Sequence, residues 1–179
     1  MEAHATIKQS WDHSHANGLL WRWFRDDYFD APKPDVRVYC DARFGPGDVA
    51  SWGFVVIWGC RRVEAFGSAC GRVEDNNAAE FWAFTEALKY LWRSGLRRRR
   101  IEICTDSMAV KLDNCGTRED RIVAAWLLGE MEWVRVILVP RSDPAREWIK
   151  RAHNLAREAF VKAREGGFVG PEIHFYWEG

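Results

Sequence analysis

The sequence has no surplus of either charge: 26 Lys and Arg face 26 Asp and Glu among 179 residues. That balance argues against a protein that coats nucleic acid through charge alone, although it does not exclude a local basic groove. No apolar run approaches the roughly 20 residues of a transmembrane helix. Met1 to Ser10 also lacks the basic-then-apolar build of a signal peptide. The five cysteines (Cys40, Cys60, Cys70, Cys104, Cys115) form no C-x-x-C pair and are odd in number. They read as reduced thiols of an intracellular protein, mostly small buried apolar residues, and argue against a zinc site. A cytoplasmic protein without membrane contact is therefore expected. What is present fits one globular domain with a full core: 47% hydrophobic and 29% charged residues, with eleven tryptophans, three of them in the first 23 residues.

Residues 1–34 form a distinct extension. Leu20, Trp23, Phe24 and Tyr28 recur at helical spacing, so an amphipathic helix is expected there, ended by Ala31-Pro32-Lys33-Pro34. From residue 35 to 165 the pattern is that of an α/β domain. Val36–Cys40, Trp52–Trp58 and Val63–Cys70 read as strands. A helix over Ala78–Arg93 follows, with Asp75, Asn76 and Asn77 as capping side chains and Gly95 as its stop. A fourth strand covers Ile101–Thr105, a helix Glu119–Glu130, a fifth strand Val134–Val139 and a last helix Ala145–Glu165. The expected architecture is a five-stranded mixed sheet flanked by helices. Residues 166–179 read as a C-terminal tail, in which Ile173–Trp177 could add a strand.

Two apolar strands each end in an aspartate, Asp41 after V-R-V-Y-C and Asp106 after I-E-I-C-T. Were these strands parallel neighbours, the carboxylates would lie about 5 Å apart, one strand spacing. The carboxyl ends of strands are also where open α/β sheets bind ligands. Glu80 falls in the first turn of the long helix, on a stripe with Phe84, Ala87 and Leu91. A carboxylate on a buried stripe costs several kcal/mol unless it is paired or bound to metal. Three converging acids with no Lys or Arg nearby in sequence call for a divalent cation, and oxygen ligands favour Mg²⁺ or Mn²⁺. Taken singly, each acid is equally a strand-end turn residue or a helix N-terminal Glu stabilised by the dipole.

The order of these features resembles type 1 ribonuclease H over about Val36 to Phe160. The matching segments are Asp41 after its strand, Asn76-Asn77-Ala78-Ala79-Glu80, Thr105-Asp106-Ser107 and Ala152-His153-Asn154-Leu155-Ala156. The resemblance implies a ribonuclease H-like fold and hydrolysis of the RNA strand of RNA–DNA hybrids to 5′-phosphate and 3′-hydroxyl products. It implies two Mg²⁺ or Mn²⁺ ions held by Asp41, Glu80, Asp106 and His153. Asn76 and Asn77 would meet 2′-hydroxyls, which an amide can serve as donor or acceptor. Ser107 and Arg141 join the substrate-binding set.

This chain departs from the family in three places. His153 stands where most members carry aspartate, which lowers the site's charge and relatively favours Mn²⁺. The loop after the fifth strand reads Arg141-Ser142-Asp143-Pro144 and lacks the family's histidine, with Asp143 as a substitute ligand. The long basic element that grips the hybrid in some members is missing between the fourth and fifth strands. Arg97–Arg100 is no replacement, because it precedes a strand whose far end carries Asp106; Lys111, Arg118, Arg121, Arg141, Arg146 and Lys150 are better placed for phosphates. Tryptophans 11, 21 and 23 extend a core, stack on bases or serve a protein partner. The alternatives are a catalytically weak or inactive nucleic-acid-binding module of the same fold, and a different nuclease of that fold acting on double-stranded RNA or on DNA.

Overall fold

The computed structural model describes residues 6–9, 21–24, 33–111, 115–139, 146–167 and 170–178. Three long strands open the main domain: β3 (Val36–Gly45), β4 (Val49–Trp58) and β5 (Arg61–Cys70), joined as antiparallel hairpins. Their inner faces supply Val38, Cys40, Phe54, Val56 and Val63, all buried. Helix α1 (Asn76–Arg93) then crosses over the sheet. Asp75 caps it, its Oδ1 accepting the Ala78 N–H at 2.7 Å. Gly95, at φ +77°, ends it in the left-handed region that glycine adopts without steric cost. The crossover lets β6 (Arg100–Thr105) lie parallel to β3. Helix α2 (Arg118–Gly129) provides the next crossover to β7 (Trp133–Leu138), again parallel. Helix α3 (Arg146–Arg164) covers the other face, with Ile149, Ala152, Leu155 and Ala159 packed on Tyr39, Val55 and Phe66.

The sheet holds more strands than the expected five. Among the described residues from Val36 onward there are six, because β8 (Glu172–Trp177) of the presumed tail pairs with β5 as an edge strand, giving the order β7-β6-β3-β4-β5-β8. Two short strands, β1 (Thr6–Gln9) and β2 (Trp21–Phe24), pair with each other and extend the β7 edge. The helix expected in residues 1–34 is thus corrected over Trp21–Phe24. The segment W-R-W-F also carries a two-residue period and β-favouring aromatics, and an open sheet edge selects the extended form. Tyr28, Trp11 and the side chains at 21 and 23, on which the partner surface was expected, lie outside the described residues. Among the described residues no helix is long and apolar enough to cross a membrane.

Candidate active site

The printed β3–β6 register runs from Val36 opposite Ile101 to Tyr39 opposite Cys104. Carried two residues further, it sets Asp106 beside Asp41. Asp41 is 5% exposed within β3, whereas Asp106, just past the end of β6, faces solvent. Glu80 enters from the first turns of α1 and is 8% exposed, above the core side chains Phe84, Ala87 and Leu91 of the same stripe. Asp41 and Glu80 share a hydrogen bond, and the Ala42 N–H serves both.

Burial sets the electrostatics here. Desolvation, reinforced by the Asp106 charge, raises the Asp41 carboxyl above its ordinary range. Desolvation and then the Asp41 charge push the Glu80 carboxyl well above its ordinary range. The same three carboxylates, after burial itself, push up the Cys40 thiol beneath them. Cys40 is therefore an inert packing residue.

His153 completes the set from α3. Its ring is half-exposed, and Nδ1 stands 2.8 Å from Asp41 Oδ2. An ionised Asp41 accepts from Nδ1–H, which leaves Nε2 for another partner. The placement of α3 depends on Gly53, the residue opposite Asp41 on β4. A Cβ there would lie 2.6 Å from the Ala152 carbonyl oxygen and 2.7 Å from the Ala156 nitrogen. The helix backbone thus rests directly on the sheet beside Asp41, held also by Ser51 Oγ donating to the Ala156 carbonyl at 2.5 Å.

Asn76 and Asn77 are exposed in the first turn of α1, since Asp75 takes the capping role they had shared with it in sequence. Ser107 is half-buried; its Oγ accepts the Ala109 N–H at 3.1 Å, which leaves the hydroxyl proton for another acceptor. Arg141 and Asp143 lie outside the described residues, as does the Lys111 side chain. Arg146, at the start of α3, reaches within 3.9 Å of Asp106 and brings one cation to acids that have none nearby in sequence. Arg97–Arg100 sit at the opposite end of β6, as their position in the chain requires.

Among the described residues, no group of three or more His, Cys, Asp or Glu side chains is gathered tightly enough to enclose an ion. The donor chemistry nevertheless suits a hard divalent cation. Two buried acids with raised pKa values have no Lys or Arg partner among the described residues, and Arg146 reaches only the third, Asp106.

No protein-family model and no curated protein matches the sequence. The fold is similar to solved structures. Ribonuclease H1 from the halophilic archaeon Halobacterium salinarum NRC-1 superposes with a TM-score of 0.54 at 24% identity, over 74% of this chain and 98% of that one. LC11-RNase H1, solved in complex with an RNA/DNA hybrid, gives 0.58 at 20% identity, over 72% and 99%. The chain has the ribonuclease H-like fold.

Proposed function

We propose that this protein is a metal-dependent endonuclease that hydrolyses the RNA strand of RNA–DNA hybrids, leaving 5′-phosphate and 3′-hydroxyl ends. One observation supports the reading: on this fold Asp41 lies within β3, which runs on to Gly45 instead of ending at the aspartate as expected, with Asp106 just past β6, Glu80 on α1 hydrogen-bonded to Asp41, and His153 2.8 Å from Asp41. Asp41, Glu80 and Asp106 would hold two Mg²⁺ or Mn²⁺ ions, with Nε2 of His153 as a neutral donor. Bound there, the ions supply an activated water and neutralise charge on the reacting phosphate.

The chain's own residues do the remaining work. The Ala42 N–H and the His153 ring orient Asp41, the most central carboxylate. Asn76 and Asn77, exposed beside Glu80, present amides to 2′-hydroxyls and so favour a strand of RNA. Arg146 offers a guanidinium to a phosphate next to Asp106, and Ser107 a hydroxyl proton.

Purified protein with Mn²⁺ should cleave a labelled RNA–DNA hybrid, and Asp106→Asn should reduce the rate at least a hundredfold. Undiminished cleavage by Asp106→Asn would remove Asp106 from the site. A second reading, a binding module without activity, draws on the pairing of His153 with Asp41, which occupies the imidazole. His153→Asp separates the two: a nuclease gains Mg²⁺-supported activity relative to Mn²⁺, whereas a binding module stays inert with either metal.

A further inference from the structure

The end of the sheet opposite the acids carries a second constellation that cleavage does not use. The two-residue turn Gly59-Cys60 sets Trp58 opposite Arg61, and β8 sets Trp177 opposite Arg61 on the other side. Cross-strand partners share one face of a sheet, so an arginine stands between two tryptophans in a single row. The row borders a cavity of about 440 Å³ whose lining also includes Arg99 and Asp35. Trp58 packs against the main core and forms a fixed wall. Trp177 is 68% exposed, and the Arg61 guanidinium lies 4.7 Å from its ring centroid. One face of that indole therefore carries a cation and the other is open.

The local charge is cationic. Arg99 belongs to the Arg97–Arg100 run, and among the described residues its guanidinium is in no ion pair. The acids nearby are engaged: Asp35 accepts from Arg100 at 3.0 Å and Glu178 from Arg62 at 2.8 Å. Glu132 is tied to this end through its N–H, which donates to the Arg97 carbonyl.

One exposed and one partly buried indole with interleaved guanidinium groups match the two parts of a nucleotide. Aromatic faces stack on bases whatever their sequence, and arginines meet phosphates. A duplex buries its base faces within its own stack, so this row selects an unpaired strand. An acidic peptide would satisfy the arginines but make no use of the open Trp177 ring. We propose that Trp58, Arg61, Arg99 and Trp177 form a binding site for single-stranded nucleic acid. The length of β6, about 20 Å, separates it from the acids. A strand bound there leaves the cleavage site open for a hybrid, so the protein holds an unpaired flank while acting elsewhere.

The test is fluorescence anisotropy of the full chain with a fluorescein-labelled oligothymidylate, in EDTA so that no cleavage intervenes. Because it reads binding alone, its outcome is independent of whether the protein is a nuclease. The expected result is salt-sensitive binding that Trp177→Ala weakens about tenfold and Trp177→Phe largely retains, the loss of one stacking platform. Arg99→Ala, in a loop and neutral to folding, should weaken binding and flatten its salt dependence. An abasic strand of equal length should bind at least tenfold more weakly. The proposal is overturned if both alanine variants bind as the parent does, or if the abasic strand binds equally well. It is also overturned if a polyglutamate peptide competes as well as the oligonucleotide, since that would mark the site as one for acidic peptides.

Discussion

Glu80 shows how a buried acid can oppose stability. Its carboxyl and that of Asp41 are raised in the folded protein, chiefly by burial. The folded state therefore retains protons that the unfolded chain releases. Metal-free stability should be full below the ordinary carboxylate range near pH 4 and should fall as pH rises through the raised folded values. Glu80→Gln keeps a donor toward Asp41 and removes the charge. In EDTA at pH 7 it should raise the thermal midpoint by about 3 °C, on the order of 1 kcal/mol, while abolishing hybrid cleavage. Calorimetry beside a cleavage assay reads both signs; a midpoint that falls would mean Glu80 is not strained. These acids were legible in the sequence because each violates a local pattern. Asp41 and Asp106 end apolar runs, and Glu80 interrupts an apolar stripe. Arg146 beside Asp106 was legible only as one of six candidates, because contact across 40 residues depends on where α3 begins.

At the level of elements, the decisive contact is α3 against β4. Gly53 permits it, and Ala152, Ala156 and Ser51 keep the interface thin. Gly53→Ala would force the helix backbone away, at about 1–3 kcal/mol for an overpacked site. The same shift would draw His153 off Asp41, and a misplacement of about 1 Å can lower turnover about a hundredfold. Circular dichroism should show a folded protein of reduced midpoint, and a cleavage assay the loss; unchanged turnover would detach α3 placement from function. Nothing in the sequence singles out Gly53, since a lone glycine in a strand signals a close approach without naming what approaches. Element types were legible where apolar periodicity was long, as in α1 and α3. They failed at Trp21–Phe24, where four residues satisfy both periods and the edge of β7 decides. The edge strand β8 was legible only as an option, because Ile173, Phe175 and Trp177 remain exposed in the folded protein and so give no clear burial signal.

On the scale of the whole molecule, zero net charge conceals a polarity along the strands. Carboxylates gather at one end of the sheet, and arginines with tryptophans at the other. Apolar clusters pack on both faces of the sheet without a metal ligand among them, so chelation should leave the fold intact. Mn²⁺ at about 100 times its dissociation constant should then add about 2.7 kcal/mol, a rise on the order of 8 °C. The Asp41→Asn variant should lose most of that rise. A thermal scan with and without Mn²⁺ measures it, and an equal rise in both proteins would place the ion elsewhere.

The parallel pairing of β3 with β6 also has a temporal meaning. Asp41 and Asp106 are neighbours only after α1 has carried the chain across the sheet, and Glu80 rides on that crossing segment. Hairpins β3–β4–β5 can form from nearby residues, yet they hold just one of the three acids. Non-local parallel contacts are the slow ones to form in a folding chain. The acid cluster therefore comes into being in the same late event that closes the sheet, and a partly folded chain lacks the assembled cluster altogether.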